Sequence, residues 1–276
     1  MLSAAMVMST MAVTAFAVGP DTILEDTGSL TINKYEGNTT GKPLEGVEFT
    51  MYKIADITQT VSNGVVDTKA TPVEEIADKL TAQELTSIAN GSTSSGEWAA
   101  LLQQISLTDL TVYAKDTTGS NGQVKFSDVP LGIYAVAETD APSQVISKSA
   151  NFIVSIPMTT DDGDSWKYDI VANPKNETAY GGISLLKKGK TGNGAESALA
   201  GVKFVLQQQV DGEWKTIGEN LTTNASGLIK VDDLSPATYR FIEVNLGENE
   251  GYILDGNAAY EFEIRLVNGE SHIFYD

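Results

Sequence analysis

Four ionisable residues end short stretches in which every second residue is apolar: Lys34, Glu138, Lys187 and Glu243. Successive side chains of a β-strand point to opposite faces, so each of these charges shares a face with the apolar residues two and four positions before it. Burying one charge alone costs several kcal/mol, and burial therefore pushes both the amine and the carboxyl towards their neutral forms. The sequence thus predicts a lysine and a glutamate directed inward from different strands, once in each half of the chain.

A neutral amine is a nucleophile, and a protonated carboxyl can donate a hydrogen bond to a carbonyl and pass protons on. If an asparagine side chain lies within reach, the amine can form an amide with it and expel ammonia. The core supplies proximity, so one slow turnover per molecule is enough. In the first half we expect Lys34 to attack the side-chain amide of Asn176, with Glu138 as general acid and base. The alternative is a buried salt bridge, or a lysine that extends to the rim of the fold.

The stretch from Trp166 to Asn176 combines a large apolar anchor with an amine. If it forms an extended strand, the even-numbered residues from Trp166 to Ala172, together with Asn176, share one mostly apolar face, and Lys175 points the other way. Pro174 cannot donate a ladder hydrogen bond, so it ends regular pairing or lies at a sheet edge. The sequence therefore predicts a buried amide beside an exposed lysine. The alternative for Lys175 is an ordinary linker residue.

The elements that must position these residues repeat in the two halves. Leu30–Lys34 corresponds to Ile183–Lys187, and Tyr134–Glu138 corresponds to Tyr239–Glu243. Most of the chain consists of short alternating stretches separated by turn dipeptides such as Asn-Gly, a pattern typical of antiparallel strands. The sequence predicts an all-β chain of two tandem β-sandwich domains, residues 29–177 and residues 182–276.

One segment, about residues 71–106, departs from the strand pattern. Residues 72–80 are predicted to form a helix, and Thr81 and Glu84 form a capping box that opens a second. A third helix is predicted from Glu97 onward. We interpret this segment as a helical insertion between strands of the first sandwich.

The ends of the two copies also correspond, because Ser165–Asp169 matches Ser271–Asp276 to within a residue. The strand that carries Asn176 in the first copy is therefore expected to continue past Asp276 in the second. On this basis the chain is predicted to be a fragment whose second domain is truncated at its last strand and lacks the asparagine partner of Lys187.

Charge and composition limit the classes of function. The chain has 37 acidic and 18 basic residues and a net charge of −19, which disfavours binding to nucleic acid and to anionic membranes. It has no cysteine, so stability outside a cell must come from the core or from another covalent device. The single histidine, His272, nearly excludes a Ser-His-Asp triad or a histidine-rich metal site. Asp161–Asp164 is favoured as a solvated hairpin tip over a calcium loop, and we expect neither a metal nor a cofactor.

The start of the chain is typical of a secretory signal peptide. Residues 1–17 are apolar and end in a small-x-small site, and they are too short for a comfortable membrane span, although an N-terminal anchor is the alternative. No lysine or arginine precedes Lys34, so the signal is expected to be truncated at its start. Residues 18–28 are polar and are predicted to form a flexible arm.

Two motifs resemble those of a known family. The spacing that runs from Trp166 to Lys175 resembles the pilin motif of sortase-assembled pilins of Gram-positive bacteria, with Ala172 and Asn173 where that family favours an aliphatic and then an aromatic residue. Tyr134–Pro142 resembles the E-box of pilin subunits. Both halves resemble the collagen-adhesin B-type domains, which are Ig-like β-sandwiches in which self-made Lys–Asn isopeptide bonds occur.

The resemblance implies a secreted structural subunit of a pilus, or fimbria, on the cell wall of a Gram-positive bacterium. It implies that a pilin-class sortase joins the C-terminus of another subunit to Lys175, within a motif that includes Trp166 and Pro174. The implied partners are other pilin subunits, the sortase and a host surface or matrix protein, with no nucleic acid. The chain is not expected to be an enzyme, because only its own crosslinks, promoted by Glu138 and Glu243, would be autocatalytic.

Two alternatives stay open at this point. One is an adhesin whose domains bind a matrix protein such as collagen, which predicts a flat apolar patch on the first domain. The other is a stalk repeat with neither polymerisation nor crosslinks, in which Lys175→Ala changes nothing. A secreted hydrolase is the least supported class, because no cleft can be inferred.

Overall fold

A computed structural model describes residues 24–37, 41–63, 65–91, 94–159, 165–192, 194–254 and 258–275. The chain divides into two compact units: the first runs to Pro142 and includes Ser147–Glu177, and the second comprises Ser143–Ile146 and Thr178–Asp276. The predicted signal peptide and the Asp161–Asp164 tip lie outside the described residues. Strands dominate both units, which confirms the predicted all-β class.

Twelve strands lie between residues 27 and 178: β1 (Thr27–Asn33), β2 (Glu48–Ser62), β3 (Val65–Pro72), β4 (Val112–Thr117), β5 (Gln123–Pro130), β6 (Gly132–Asp140), β7 (Val145–Ser147), β8 (Phe152–Ile156), β9 (Met158–Thr159), β10 (Trp166–Lys167), β11 (Asp169–Ala172) and β12 (Glu177–Thr178). One sheet of the first unit has the order β11-β1-β5, and the other has the order β3-β2-β6-β8 with β4 also paired to β2. β1 runs parallel to β11 and antiparallel to β5. Leu30 and Ile32 of β1 and Phe49 and Met51 of β2 are fully buried, so the core lies on these inner faces.

The predicted helical insertion is present. It contains α1 (Ala82–Ala89), α2 (Ser95–Leu102) and two 3₁₀ turns, Glu74–Ile76 and Leu107–Asp109. Both helices begin with a capping box, Thr81 with Glu84 and Ser94 with Glu97. Apolar residues of the insertion pack against β2, β6 and β8 in one cluster, which covers the second face of this sheet. All five residues of β8 are therefore buried, and the usual alternation is lost there.

Two local predictions were wrong. Residues 72–80 do not form a helix, because Pro72 still pairs with Ala55 in the β2–β3 ladder and only a 3₁₀ turn, Glu74–Ile76, follows. Residues 27 and 28, assigned to the flexible arm, belong to β1 and pair with Pro130 and Val129. Backbone hydrogen bonding does not require apolar side chains, so the polar residues before Ser29 do not reveal that β1 begins at Thr27.

Nine strands complete the second unit: β13 (Gly181–Leu186), β14 (Lys188–Gly189), β15 (Ser197–Ala198), β16 (Lys203–Val210), β17 (Glu213–Thr222), β18 (Leu228–Leu234), β19 (Ala237–Asn245), β20 (Ala259–Val267) and β21 (Glu270–Tyr275). They form a five-stranded sheet of order β17-β16-β19-β20-β21 and the pairs β13-β18 and β14-β15. Phe204, Phe241 and Phe262 are buried in its core.

One local feature repeats in the two units, as the sequence repeat predicts. Tyr134 donates from its hydroxyl to the carbonyl of Pro130, four residues back, and Tyr239 donates to the carbonyl of Ser235 in the same way. The two units differ in how their first strands are paired. β1 is paired on both sides, whereas β13 pairs only with β18 among the described residues, so its other edge is open.

Candidate functional site

Parallel pairing of β1 with β11 brings Lys34 and Asn176 to the same end of the first unit. The register runs from Ser29 opposite Asp169 to Ile32 opposite Ala172, and an isolated parallel bridge joins Glu36 to Asn176. Both strands run in the same direction, so the residues that follow each strand emerge side by side.

Glu138, near the end of β6, contacts both partners. The Lys34 Nζ atom lies 3.0 Å from Glu138 Oε2, and Asn176 Nδ2 donates to Glu138 Oε1 over 2.6 Å. Lys34 also donates to the carbonyl oxygen of Pro174 over 3.1 Å. One carboxyl group thus bridges an amine and a side-chain amide, which is the arrangement that proton transfer between them requires.

The site is dry. The side chains of Lys34 and Glu138 are 0% exposed, and Asn176 is 3% exposed. The Phe49 ring lies 5.6 Å from the lysine nitrogen. Burial lowers the pKa of Lys34 below its ordinary value, although the Coulombic attraction and hydrogen bond of Glu138 oppose this effect. The amine therefore loses its proton more readily than an exposed lysine does.

Ser149 belongs to the site and was missed by the sequence interpretation. Its backbone N–H and its hydroxyl both donate to Glu138 Oε2, over 3.0 and 2.7 Å. The residue lies in an irregular connection between β7 and β8, where strand alternation predicts nothing about direction. Within the described residues, Asn176 Oδ1 is buried without a hydrogen-bond partner.

The sequence around Lys175 divides between two ladders. Tyr168, Ile170, Ala172 and Asn176 are buried on one face, whereas Lys175 is exposed. Trp166 differs from the prediction of one continuous strand, because it is only half-buried and pairs with Thr159 of β9 rather than with β1. Pairing is interrupted at Tyr168, although the alternation of burial continues upstream, since Trp166 is less exposed than Ser165 and Lys167 on either side. Pro174 is buried next to the exposed lysine.

The second unit holds an incomplete copy of the cluster. Lys187 Nζ lies 2.8 Å from Glu243 Oε2, and their side chains are 18% and 0% exposed. The backbone of Lys187 makes the same contacts as that of Lys34. The N–H of Lys187 donates to the carbonyl of Gly227, and the carbonyl of Lys187 accepts from the N–H of Leu199. Lys34 makes the corresponding bonds with Gly122 and Leu44. Glu243 Oε1 is buried and has no hydrogen-bond partner among the described residues. A groove of about 420 Å³ adjoins the open edge of β13, lined by Leu185, Lys187, Phe204, Phe241, Phe262 and Tyr275 among others.

Nothing in the described part of the chain forms a metal-binding group of three or more His, Cys, Asp or Glu side chains. His272 is an exposed residue of β21. None of the helices in the described ranges is long and apolar enough to cross a membrane.

Comparison with known proteins identifies the family. Residues 17–177 match the family model described as Gram-positive pilin subunit D1, N-terminal domain. Residues 182–273 match the model named SpaA, described as a prealbumin-like fold domain. The first match alone covers more than half of the chain. The chain is therefore a pilin subunit of the Gram-positive type.

Two curated relatives are named as fimbrial subunits. The chain is 29% identical over 177 residues to fimbrial subunit type 2 of Actinomyces naeslundii, which covers 55% of this chain and 30% of that protein. It is 28% identical over 150 residues to fimbrial subunit type 1 of Actinomyces viscosus, which covers 52% of this chain and 28% of that protein. The chain thus spans less than a third of the length of these curated relatives. The crystal structure of shaft pilin SpaA from Lactobacillus rhamnosus GG aligns with 91% of this chain and 98% of its own, at 16% identity and a TM-score of 0.39.

These matches confirm the predicted family. More specifically, the chain belongs to the Gram-positive pilin subunits in which a D1 N-terminal domain is followed by a prealbumin-like domain. The relatives are named as fimbrial subunits and not as enzymes, in agreement with the predicted structural role.

Proposed function

We propose that this chain is a shaft-type or accessory subunit of a sortase-polymerised pilus, and that a Lys34–Asn176 isopeptide bond stabilises its first unit. The observation that carries the crosslink is the contact of one buried carboxyl, Glu138, with both the Lys34 amine and the Asn176 amide. A simple buried ion pair needs no asparagine at the second carboxyl oxygen.

The reaction needs only groups of this chain. The neutral amine of Lys34 attacks Cγ of Asn176, a bond forms between Nζ and Cγ, and the bond between Cγ and Nδ2 breaks. Glu138 takes a proton from the lysine nitrogen and gives one to Nδ2, which leaves as ammonia. Glu138 already contacts both reacting side chains in a buried core, so proximity replaces a catalyst that turns over.

Intact mass measurement tests the crosslink. We expect the purified chain from residue 18 onward to be lighter than its sequence by one ammonia. Lys34→Ala and Glu138→Ala variants should have the full mass, because each loses the nucleophile or the proton carrier. Lys125→Ala, which removes an exposed lysine of β5, is the matched control and should lose ammonia like the parent. A folded parent of unmodified mass would remove the crosslink from this proposal.

Lys175 is proposed as the residue through which a sortase joins the next subunit. Its side chain is exposed, while Pro174 before it and Asn176 after it are buried. The flanking residues therefore fix the backbone, and the amine extends into solvent. An exposed lysine can act as a nucleophile when a partner enzyme supplies an activated carbonyl.

A second crosslink is proposed for Lys187, with Glu243 as general acid and base. Its partner would be an asparagine on a strand that pairs in parallel with the open edge of β13, as β11 pairs with β1. The repeat predicts such a strand after β21. The groove beside β13 and the partnerless Glu243 Oε1 support this proposal.

The adhesin alternative has less support. Large exposed apolar side chains of the described first unit include Val61, Val112, Tyr113 and Val171, which lie on β2, β4 and β11. They are distributed over three strands and do not define the flat patch that the alternative predicts.

A further inference from the structure

Ser149 is held in place against the end of β6. The preceding residue, Lys148, donates from its Nζ to the carbonyl oxygen of Thr139 over 2.7 Å. This contact, made at the surface, links the connection between β7 and β8 to the end of β6 beside Glu138. Ser149 then presents two donors, its N–H and its hydroxyl, to a single carboxyl oxygen.

The two oxygens of Glu138 have unequal surroundings. Oε2 receives Lys34 Nζ and both donors of Ser149, whereas Oε1 contacts Asn176 Nδ2. A carboxylate oxygen has about two lone-pair sites, so Oε2 is saturated as long as Lys34 Nζ and both donors of Ser149 face it. When the carboxyl is protonated, its proton therefore belongs on Oε1, the oxygen that touches the nitrogen due to leave.

We propose that Ser149 is a positioning residue that assigns different tasks to the two oxygens of Glu138; this inference rests on the proposed crosslink. As Lys34 Nζ bonds to Cγ, the proton that it donated to Oε2 stays on that oxygen, and the Ser149 hydroxyl, which can also accept, turns to receive it. Nδ2 is then no longer part of a planar amide, so it accepts the proton of Oε1 where it had donated before. The carboxyl ends the step with one proton, as it began, and the products are one secondary amide and one ammonia.

The second unit shows the contrast. Glu243 Oε2 contacts Lys187, and the structure records no other hydrogen-bond partner for this carboxyl among the described residues. Its two oxygens are therefore not distinguished by a serine. The doubly donating Ser149 is thus specific to the first unit within the described residues and is not a general requirement for burying a Lys–Glu pair.

The test compares two side chains of the same shape at position 149. Unreacted chain is recovered in denaturant and diluted into buffer, and the fraction lighter by one ammonia is followed by intact mass. Ser149→Val removes the hydroxyl and keeps the backbone N–H, whereas Ser149→Thr keeps both donors. We expect Ser149→Val to react up to about ten-fold more slowly than the parent, since the loss of one hydrogen bond that acts in the transition state has roughly that effect. Ser149→Thr should react close to the parent rate.

Equal rates for the valine and threonine variants would overturn the role of Ser149. The two side chains pack alike and differ only in the hydroxyl, so equal rates would mean that the hydroxyl does not contribute to the reaction. If the valine variant does not fold by circular dichroism, Ser149→Ala replaces it, and an alanine variant at the parent rate has the same meaning. Ser147→Ala, at an exposed residue of β7, is the control for the segment. A folded parent that never loses ammonia fails the crosslink proposal itself and removes this inference with it.

Discussion

Lys34 is the residue whose environment differs most from that of an ordinary lysine. Its side chain is completely buried, and desolvation lowers its pKa although an acidic partner lies 3.0 Å away. Burial therefore outweighs the ion pair. The same residue type at position 175 is exposed, so the two lysines of the first unit's site differ in the medium around their amines.

The lowered pKa of Lys34 predicts the pH dependence of the crosslinking rate. The reacting pair holds one proton, which lies on Glu138 when the Lys34 amine is neutral, and the step needs both the neutral amine and this proton. When pH passes the lowered pKa of Lys34, the pair loses the proton to solvent and no acid is left to protonate Nδ2. We therefore expect the rate to be nearly constant around neutral pH and to decrease before pH reaches the ordinary lysine value of 10.5. Refolding of unreacted chain in a series of buffers, followed by intact mass, measures the profile. A rate that keeps rising up to pH 10.5 would show that the amine reacts without the proton of Glu138.

At the scale of elements, strand alternation explains which site residues could be predicted. Lys34, Glu138 and Asn176 follow or end regular strands, and their inward direction depends only on a period of two. Ser149 lies in an irregular connection, and its contacts depend on how that connection folds over β6. Trp166 was placed wrongly because the pairing partner changes at Tyr168, and the sequence of one strand does not reveal its partner.

The fold class was predictable because short alternating stretches recur in both halves, for example Leu30–Lys34 with Ile183–Lys187 and Tyr134–Glu138 with Tyr239–Glu243. The capping signal located α1, since Thr81 and Glu84 are only three residues apart and their contacts are local. The 3₁₀ turn at Glu74–Ile76 was taken for a helix, because the β2–β3 ladder that extends to Pro72 is a long-range contact. The predictions were correct where the structure depends on contacts between residues close in sequence, and wrong where it depends on long-range strand pairing.

The open edge of β13 leads to a prediction about a longer product of the same gene. If a parallel strand with an asparagine completes the second unit, such a product should lose two ammonias, and its Lys187→Ala variant should lose one. Intact mass distinguishes these outcomes. Lys188→Ala, at the exposed neighbouring residue, should behave like the parent. A longer product without an asparagine in the stretch after Asp276 would contradict the second crosslink.

For the whole molecule, the crosslink from residue 34 to residue 176 closes a loop that contains nearly all of the first unit. On the chain-entropy model, a closed loop of this length lowers the entropy of the unfolded chain by an amount equivalent to about 5 kcal/mol. Asn176→Ala prevents the bond and leaves the Lys34–Glu138 pair in place.

We therefore expect Asn176→Ala to decrease the free energy of unfolding of the first unit by at least about 5 kcal/mol. Hydrogen exchange of first-unit amides measures it separately from the second unit. Asn173→Ala, at an exposed neighbour, is the matched control. A decrease of only about 1 kcal/mol would correspond to the lost hydrogen bond to Glu138 alone, and would argue against a covalent link.

Polymerisation through Lys175 predicts a phenotype in the source bacterium. Lys175→Ala should collapse the high-mass ladder of cell-wall extracts to monomer, because no other amine would occupy the position that the enzyme recognises. Lys167→Ala removes an exposed lysine of the same stretch and should leave the ladder unchanged. An unchanged ladder in the Lys175→Ala variant would favour a stalk module without polymerisation.

The parallel pairing of β1 with β11 also determines how the first unit would carry mechanical force. A pull on the chain before Thr27 and after Glu177 acts along two strands that run in the same direction, so it shears their ladder lengthwise and does not unzip it pair by pair. With residues 34 and 176 bonded, the load path passes from β1 directly to Asn176. The helical insertion and the sheet of β2, β6 and β8 then lie outside this path. A neighbour attached at Lys175 would pull one residue away from the bond, so the largest part of the unit could vary in sequence without weakening the fibre.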